Sequence, residues 1–476
     1  MSVPRPIFFL PLLLLACGTP TESPPPESPE LTDPTDPEPT TGCVPTAEVC
    51  DGVDNDCDGV VDNDPEDGVT SFPDLDGDGF GDIEGAVFAC TVPDGFIVEG
   101  RDCDDARAEV NPDAVERCDG FDNDCDAATP EAGTATLFTG SGAEDFTATL
   151  TGTLEAPAAV ELSRPGTLQI CEGVWFTHLD VHADVDIVGP TGSADTVLDG
   201  AEQGTVINYR SDVDATLRGV TLQNGDGGQD CGGGVCLRQA TLEASDVVMT
   251  DHVAGFGGAM RVENSTVTLN DATLTDNEAN EGGALFVRDS TITVGDAAFL
   301  RNTAGRAGTL RGRSSTITFE RVDVEDSLGT TAAGGFEINS GTVILRDSRV
   351  VRSVAGNEGG AMRILGDIDL RLENSILAEN TSRRGPAIMF RGTPDAVVTC
   401  TGTVGATSGI FGNVSTNTGT AAVHLEDGTF VAEDCDLVDP ATGTDNAPTD
   451  LTLGNQPIDT FGEDTNVVCT RDGCVP

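Results

Sequence analysis

The stretch Gly257-Gly258-Ala259-Met260 returns as Gly282-Gly283-Ala284-Leu285, and related tetrads recur along the chain every 25 to 27 residues. A repeat of this length is typical of solenoids. Within each repeat, apolar and polar residues alternate over short runs, and no amphipathic pattern is long enough for a useful helix. The other members of the series are Ala307-Gly308-Thr309-Leu310, Gly334-Gly335-Phe336, Gly359-Gly360-Ala361-Met362 and Gly385-Pro386-Ala387-Ile388.

Two further apolar columns keep step with the tetrads, so each repeat is predicted to hold about three short strands. Three strands per turn describe a parallel β-helix, whose coils stack at ~4.8 Å and pair their backbones above and below. We predict that it spans residues 135–440, with a capping segment at 441–476, because a solenoid needs capped ends. The columns are Val267, Ile292, Ile317, Val343 and Leu370, and Met249, Leu274, Phe299, Val324, Val350, Leu377 and Ile410.

A polar column lies three residues past the second apolar column. It is rich in Asn, and stacked Asn side chains can hydrogen-bond along the axis of a β-stack. Neighbouring glycines supply the positive φ that tight corners need. The members are His252, Asn277, Asn302, Ser327, Ser353, Asn380 and Asn413.

These repeats resemble the right-handed parallel β-helix family over roughly residues 150–435. The Gly-Gly-Ala-[Ile/Leu/Met] elements, and the full Phe-x-x-Asn match at Phe299-Leu300-Arg301-Asn302, are similar to the repeats of polymorphic outer-membrane proteins. The resemblance implies an all-β, pectate-lyase-like solenoid with coils of about 25 residues. It leaves function open, since the fold serves lyases, hydrolases, epimerases and adhesins.

Upstream of the repeats, the stretch from Cys50 to Gly59 (CDGVDNDCDG) returns almost letter for letter from Cys118 to Ala127 (CDGFDNDCDA). Residues 43–131 contain 27 Asp and Glu but three Arg, with sparse apolar residues and frequent Cys. Such a segment cannot build an ordinary core, so we expect metal ions and disulfides to stabilise it.

Carboxylates at alternate positions in this segment predict a hard-cation site. The pattern D-x-D-x-D-G begins at Asp54 and again at Asp74, which matches the first half of an EF-hand-like loop. The bidentate Glu of position 12 is replaced by Pro65 and Gly85, so these loops are more similar to those of thrombospondin type-3 repeats. The predicted metal ligands are Asp54, Asp56, Asp58, Asp62, Asp74, Asp76, Asp78, Asp82, Asp102, Asp104, Asp105, Asp122, Asp124 and Asp126.

The order of these elements over residues 43–127 resembles the MopE-type metal-binding motif of bacterial surface lipoproteins, which implies metal binding without fixing the metal. Structural Ca²⁺ is predicted, because copper favours His or Met ligands and the segment has neither. A dissociation constant on the order of 10⁻⁴–10⁻³ M is expected. The alternative is a solvated or disordered acidic stretch, but disorder would not require matched cysteines in both copies.

The chain has 15 cysteines, which favours an exported, oxidising location. One of them belongs to the N-terminus and 14 remain. Proximity in sequence suggests six pairs and leaves Cys43 and Cys171 over. The suggested pairs are Cys50–Cys57, Cys90–Cys103, Cys118–Cys125, Cys231–Cys236, Cys400–Cys435 and Cys469–Cys474.

Residues 1–16 form a short apolar leader, which predicts a signal peptide. Leu14-Leu15-Ala16-Cys17 resembles the lipobox of bacterial lipoproteins, and this implies lipidation of Cys17 and attachment to the outer membrane or cell surface of a Gram-negative bacterium. The alternative is an ordinary secretory signal. Residues 17–42 are predicted to be a disordered, Pro-rich acidic tether.

The formal net charge is −58, and all 24 basic residues are Arg. Nucleic acid binding is excluded by this balance, since it needs basic surface. A cluster of Arg306, Arg311, Arg313 and Arg321 is a candidate patch for an acidic glycan, or else offsets nearby carboxylates.

We favour a non-enzymatic cell-surface lipoprotein whose solenoid serves adhesion, surface structure, or glycan or protein binding. The alternative is a carbohydrate-active β-helix enzyme, a lyase or epimerase on uronate polymers. A groove with three or more carboxylates beside an Arg would favour the enzyme, and a groove of Thr, Ser and Arg would favour the binding protein. Catalytic candidates are His252 after Asp251, and Asp180, Asp184 and Asp186 near His178 and His182; His252 also falls on the Asn column, which favours a structural role.

Overall fold

The computed structural model is all-β, and its described part holds one short α-helix, Thr147–Leu150, and one 3-10 turn, Ile83–Gly85. No helix among the described residues is long and apolar enough to cross a membrane. The chain divides into two compact units, residues 1–69 with 88–91 and residues 70–87 with 92–476. The structure describes residues 44–119, 121–129, 132–402, 408–417, 421–437, 446, 451–453, 456–458, 465–470 and 473–475. The predicted signal peptide, lipidated Cys17 and tether lie outside these residues.

Five short strands lie in the acidic segment. Strands β1 and β4 pair antiparallel through Phe72 and Ile97, and β2 pairs in parallel with β5. These strands are β1 Val69–Pro73, β2 Gly81–Asp82, β3 Val87–Ala89, β4 Phe96–Ile97 and β5 Gly100–Asp102.

The remainder is a parallel β-solenoid of about nine turns, as predicted. Many of its strands bend at a corner and so contribute to two faces. Their bounds are β6 Ala135–Thr139, β7 Gly142–Asp145, β8 Ala158–Leu162, β9 Gly166–Ile170, β10 Gly173–Val181, β11 Val185–Val188, β12 Thr196–Asp199, β13 Ile207–Tyr209, β14 Asp214–Gln223, β15 Val235–Arg238, β16 Thr241–Thr250, β17 Val253–Phe256, β18 Met260–Glu263, β19 Thr266–Thr275, β20 Glu278–Glu281, β21 Leu285–Arg288, β22 Thr291–Gly295, β23 Ala298–Leu300, β24 Thr303–Arg306, β25 Leu310–Glu320, β26 Asp323–Glu325, β27 Leu328–Gly329, β28 Phe336–Arg346, β29 Arg349–Val351, β30 Val354–Ala355, β31 Met362–Glu373, β32 Ile376–Ala378, β33 Thr381–Ser382, β34 Ile388–Gly392, β35 Val397–Thr401, β36 Gly409–Phe411, β37 Val414–Ser415, β38 Val423–Asp427, β39 Thr429–Cys435, β40 Leu451–Leu453, β41 Gln456–Ile458, β42 Thr465–Thr470 and β43 Gly473–Val475.

The predicted apolar columns are confirmed by the strand register. Met260 pairs with Leu285, and Leu285 pairs with Leu310, on the face that follows each glycine pair. Val267 pairs with Ile292 in the second face, and Met249 pairs with Leu274 in the third. These inward side chains form one continuous buried core. We call the face that follows the glycine pairs the first face.

A fourth face, which the sequence did not predict, is a seven-stranded sheet of β17, β20, β24, β27, β30, β33 and β37. Its strands have only two to four residues each, and their inward position is often alanine, as at Ala254, Ala279 and Ala304. Such short strands with small side chains give too weak an alternation to be recognised. This fourth face precedes the glycine corner and therefore borders the first face.

The predicted polar ladder is confirmed. The Asn302 Oδ1 accepts hydrogen bonds from the backbone N–H and the side-chain amide of Asn277 at 3.1 and 3.0 Å. The same pattern joins Asn380 to Asn413 and continues to Asn446, which the sequence analysis missed because residue 443, three positions before it, is glycine and continues no apolar column. These asparagines satisfy backbone groups at a buried corner, where an unpaired group would be costly.

A second ladder of serines was also missed. Ser290 Oγ accepts from the backbone N–H of Ser265 at 3.1 Å, and Ser315 Oγ accepts from Ser290 at 3.2 Å. Ser348 and Ser375 repeat the arrangement further along. Serine is common in loops, so a column of it gives little signal in a single sequence.

Antiparallel strands stand at both ends of the parallel stack. At the start, β6 pairs antiparallel with β7 and β9. At the other end, β40 still pairs in parallel with β38, whereas β42 pairs antiparallel with β39 and β43. A hairpin end presents no further parallel edge, which protects a sheet against edge-to-edge association.

Three of the suggested disulfides are present, Cys231–Cys236, Cys400–Cys435 and Cys469–Cys474. The suggested Cys50–Cys57, Cys90–Cys103 and Cys118–Cys125 pairs are wrong, because the loops turn each cysteine toward a more distant segment. Cys171, which had been left over, joins the acidic segment to the first coils of the solenoid. The observed bridges are Cys50–Cys90, Cys103–Cys125 and Cys118–Cys171. Cys57 is also disulfide-bonded, and Cys43 lies outside the described residues.

Candidate metal centre

The first carboxylate cluster consists of Glu48, Asp54 and Asp56, which place one oxygen each within 4.8 Å of one another. Glu48 is only 3% exposed. Its Oε2 accepts from the backbone N–H groups of Asn55 and Asp56 at 2.8 and 3.0 Å, and its Oε1 accepts from Asp62 at 2.8 Å. The glutamate thus holds the acidic loop in place through its backbone.

The second copy of the motif builds the same cluster from Glu116, Asp122 and Asp124. Glu116 is 5% exposed, and its Oε1 accepts from the backbone N–H of Asp124 at 2.8 Å, as Glu48 does from Asp56. The sequence departs from the first copy at Ala127, yet the carboxylates still converge.

An asparagine anchors both copies in the same way. Asn55 Oδ1 accepts from the backbone N–H of Val49 at 3.1 Å, and Asn123 Oδ1 accepts from that of Arg117 at 2.9 Å. The duplicated sequence therefore produces a duplicated hydrogen-bond pattern within each loop.

A larger cluster, with five carboxylates, comes from the part of the sequence that separates the two copies. Asp74, Asp76 and Asp78 form one group, and Asp76, Asp102 and Asp105 form another, so Asp76 is common to both. Several negative charges this close repel each other strongly unless a cation is bound.

Two segments distant in sequence meet in this cluster. Gly81 and Gly100 are register partners in the β2–β5 pair, which brings the two acidic stretches together. The backbone N–H of Leu75 donates to Asp105 Oδ1 at 2.9 Å, and Asn111 Nδ2 donates to Asp78 Oδ2 at 2.9 Å. The cluster is therefore held by the fold as well as by its local turns.

Three buried carboxylate oxygens have no hydrogen-bond partner within the described part of the chain: Asp76 Oδ2, Asp102 Oδ2 and Glu116 Oε2. Asp102 is 4% exposed, and burial raises its pKa, helped by the neighbouring Asp78 and Asp76. Burial likewise raises the pKa of Glu116 and of Asp76. A buried oxygen left without a partner is costly, and coordination of a cation would remove that cost.

Nine of the fourteen predicted ligands lie in the clusters, namely Asp54, Asp56, Asp74, Asp76, Asp78, Asp102, Asp105, Asp122 and Asp124. The other five are outside them and accept local hydrogen bonds or pair with Arg: Asp58, Asp62, Asp82, Asp104 and Asp126. Glu48 and Glu116 were missed, although each stands two residues before a matched cysteine, at Cys50 and Cys118.

The donor set consists of oxygens alone. Residues 43–131 contain no His and no Met, and the six described cysteines of the segment are all disulfide-bonded. Hard cations such as Ca²⁺ and Mg²⁺ fit carboxylate oxygens, and Ca²⁺ tolerates irregular cages best.

The catalytic candidates of the solenoid are used structurally. His252 is 0% exposed, its Nδ1 accepts from the backbone N–H of Gly225 at 2.9 Å, and burial lowers its pKa to about 3. Asp184 and Asp186 accept hydrogen bonds from the next coil, at the backbone of Asp214 and at Thr216.

Asp180 lies in a groove of about 470 Å³ with His178. Its two oxygens accept from Arg210 at 2.5 and 2.7 Å, and His182 Nε2 is 3.1 Å from it. Despite burial, these partners lower the pKa of Asp180, so it remains ionised and paired. The only Trp and Tyr of the chain, Trp175 and Tyr209, are buried and offer no sugar platform.

A second groove, of about 600 Å³, is lined by Asp367, Asp369 and Asp395 beside Arg371. Three carboxylates beside an arginine are the pattern that would favour an enzyme. Asp369, however, is paired with Arg371 at 2.6 Å. These three carboxylates are also not among the described groups whose oxygens converge within 4.8 Å.

The geometry defines a parallel β-solenoid preceded by a Cys- and Asp-rich metal-binding region. Residues 45–63 and 102–131 match the family model Cu-binding_MopE, described as "Putative metal-binding motif". These two ranges contain the first cluster, the second cluster and two of the five carboxylates of the middle one, Asp102 and Asp105. No curated protein and no solved structure matches the chain.

Proposed function

We propose that the acidic segment binds Ca²⁺ as a structural ion, in an exported, non-enzymatic surface lipoprotein whose solenoid presents a binding face. The observation that carries the metal assignment is the pair of buried, unpartnered oxygens, Asp102 Oδ2 and Glu116 Oε2, each within a carboxylate cluster of the described chain. The name of the matched family points to copper, but the oxygen-only donor set favours a hard cation.

The exported location is supported by the cysteines. Six bridges among the described residues fit an oxidising compartment. Cys17, the proposed lipidation site, would attach the chain to the outer membrane through the acidic tether. Several acyl chains hold a protein at a membrane far more firmly than one.

A non-enzymatic role is supported by the state of the candidate catalytic groups. His252 is neutral and buried, and the ionised Asp180 is held in an ion pair with Arg210. A general acid or base must instead be accessible and free to exchange its proton. Adhesion, surface structure and glycan binding all use a rigid face without such a group.

Calorimetric titration of Ca²⁺ into the chelated full-length protein, with thermal melting in parallel, tests the metal assignment. Several binding events and a transition that moves to higher temperature are expected, and Cu²⁺ at equal concentration should not reproduce them. A flat Ca²⁺ titration with unchanged melting would rule the calcium site out.

A polysaccharide lyase or epimerase is the second candidate function, and the groove of Asp367, Asp369, Asp395 and Arg371 is the observation that favours it. The same calcium-loaded preparation, incubated with uronate polymers, distinguishes the two. The binding protein leaves both polymer length and sugar configuration unchanged, whereas shortened or epimerised chains would establish the enzyme.

A further inference from the structure

Three buried glutamates, on the first face of the solenoid or at the glycine corner that precedes it, are each surrounded by three arginines. Glu263 has a side chain that is 6% exposed and lies 2.9 Å from Arg261, 2.8 Å from Arg288 and 3.7 Å from Arg238. A single carboxylate thus faces three guanidinium groups, two of them about two-fifths exposed.

Glu337 repeats this arrangement three coils further on. Its side chain is 1% exposed and lies 2.6 Å from Arg306, 2.8 Å from Arg311 and 3.2 Å from Arg363. Burial lowers the pKa of Arg311 to about 10, which leaves it charged at neutral pH. Arg306, from the fourth face, is the exposed member of this group at 38%.

Glu358 forms the third group. Its side chain is 7% exposed and lies 3.1 Å from Arg363, 2.7 Å from Arg391 and 3.6 Å from Arg384. Arg363 therefore bridges the second and third groups. We call the arginines around these three glutamates, together with Arg313, the arginine stripe: Arg238, Arg261, Arg288, Arg306, Arg311, Arg313, Arg363, Arg384 and Arg391.

The stripe follows the axis of the solenoid. Arg238, Glu263, Arg288 and Arg313 are register partners on successive coils of the first face, and so are Arg311, Glu337 and Arg363. Coils stack at ~4.8 Å, which is comparable to the length of one sugar ring. The charged groups therefore form a row that an extended polymer can follow.

The stripe carries a positive surplus within a chain of net charge −58. Its nine arginines pair with six carboxylates, which leaves 9 − 6 = +3. The three most central carboxylates are buried beneath the guanidinium groups, so an incoming anion meets arginine first. The paired carboxylates are Glu263, Glu281, Asp289, Glu337, Glu358 and Glu426.

Two other exposed arginines of the solenoid do not show this surplus. Arg301 is paired with Asp276, and Arg321 with both Asp296 and Glu320. We call these the balanced pairs, and Arg321, predicted to cluster with Arg306, belongs to them instead. Simple neutralisation of carboxylates explains the balanced pairs but not three arginines around each buried glutamate.

We propose that the arginine stripe is a binding face for an extended acidic polysaccharide. Guanidinium groups held by buried carboxylates are preorganised to donate paired hydrogen bonds to carboxylate or sulfate groups. A protein partner fits less well, because no aromatic side chain is exposed in the described solenoid, and protein interfaces rely on such anchors. The inference rests on the proposal that the solenoid is a binding surface.

The test uses the calcium-loaded full-length protein and immobilised heparin, hyaluronan or neutral dextran. Saturable binding to the two acidic polymers is expected, weakening as salt is raised, with none to dextran. Binding to heparin alone would identify sulfate as the ligand group, and binding to hyaluronan would show that carboxylate suffices. No binding to either overturns the proposal.

A paired variant gives the sharper test. Arg288→Gln with Arg384→Gln removes two exposed members of the stripe, yet leaves Glu263 and Glu358 with two arginines each. Affinity is expected to fall on the order of tenfold. The matched control, Arg301→Gln with Arg321→Gln, removes the same charge from the balanced pairs and should change affinity less than about twofold.

Equal losses in both double variants, or no loss in the first, would overturn the stripe as the binding face. Competition by polyglutamate at equal charge concentration would instead identify an acidic polypeptide as the partner. Calorimetric Ca²⁺ uptake and melting are measured on every variant. Failure of polymer binding with normal Ca²⁺ uptake is then distinguishable from failure of the metal assignment.

Discussion

The acidic segment and the solenoid of this chain are stabilised in opposite ways. Among the described residues of 44–129, Pro65 and Val110 are the buried apolar side chains, whereas the solenoid buries a continuous apolar core. Hydrogen bonds in the acidic loops run largely from backbone N–H groups to carboxylates such as Glu48 and Asp105. In the solenoid they run from strand to strand.

This difference implies that the two regions depend on different conditions. The solenoid is stabilised by its own apolar packing and by its Asn and Ser ladders. The acidic segment buries carboxylates such as Asp102 and Glu116, and one oxygen of each has no hydrogen-bond partner among the described groups. Disulfides and bound cations are what such a small, apolar-poor region has available.

The largest effect is expected from a glycine of the solenoid. A Cβ at Gly283 would lie 2.1 Å from the backbone oxygen of Gly308 and 2.6 Å from that of Thr303. Gly283→Ala is therefore expected to lower the free energy of unfolding by about 3 kcal/mol or more, because backbone must move to admit it.

Denaturant unfolding with and without Ca²⁺ measures this change. Gly140→Ala is the matched control, since nothing lies within 4 Å of its added Cβ, and it should change stability by about 0.5 kcal/mol or less. If the loss at Gly283 disappears when Ca²⁺ is removed, the solenoid is not independent of the metal and the comparison fails.

A smaller effect is expected from a substitution in the second acidic loop, which is linked to the solenoid by a disulfide and a hydrogen bond. Cys118 is bonded to Cys171, and Thr136 Oγ1 donates to the backbone oxygen of Glu116 at 2.7 Å. Glu116→Gln keeps the shape of the side chain but removes its charge. We expect Ca²⁺ affinity at one site to fall about tenfold, or ~1.4 kcal/mol, and the Ca²⁺-induced rise in melting temperature to shrink.

Glu48→Gln provides the counterpart in the first copy, which belongs to the other compact unit. It should weaken one calorimetric site without reducing the calcium-dependent rise in the solenoid's melting temperature. Equal shifts in that temperature from both variants would show that the two copies stabilise the solenoid alike. Unchanged calorimetry in both would remove Glu48 and Glu116 from the ligand set.

The repeat predicted the solenoid well because each coil obeys the same constraints. The register of Val267 with Ile292, and the hydrogen bonds of Asn277 with Asn302, follow from a column that any stacked coil must repeat. The fourth face escaped prediction because its strands are too short to show a period. Asn446 escaped because the apolar column that marks the ladder, three residues earlier in each coil, does not continue to residue 443, a glycine.

The acidic segment was predicted less well. Its duplicated letters correctly indicated duplicated loops, yet the disulfides of the two copies differ, since Cys50 bonds to Cys90 while Cys118 bonds to Cys171. Pairing depends on which distant segment lies nearby, and sequence spacing does not contain that information. Glu48 and Glu116 were missed because the search followed Asp at alternate positions.

The smallest effect is expected from a substitution in the polar ladder, and its pH dependence distinguishes the ladder from the acidic loops. His252 Nδ1 accepts from Gly225 as an Asn Oδ1 would in this column, and burial lowers its pKa from 6.5 to about 3. The unfolded chain therefore takes up the proton first as pH falls, and this contribution to stability is lost progressively between about pH 6.5 and pH 3. The free energy of unfolding of His252→Asn, relative to that of wild type, should therefore be about 1 kcal/mol higher at pH 6 than at pH 8.

Denaturant unfolding of both proteins at the two pH values measures this difference. The measurement is made in saturating Ca²⁺, because bound metal keeps the acidic loops constant. Parallel pH curves for the two proteins would show that His252 is not held neutral in the ladder.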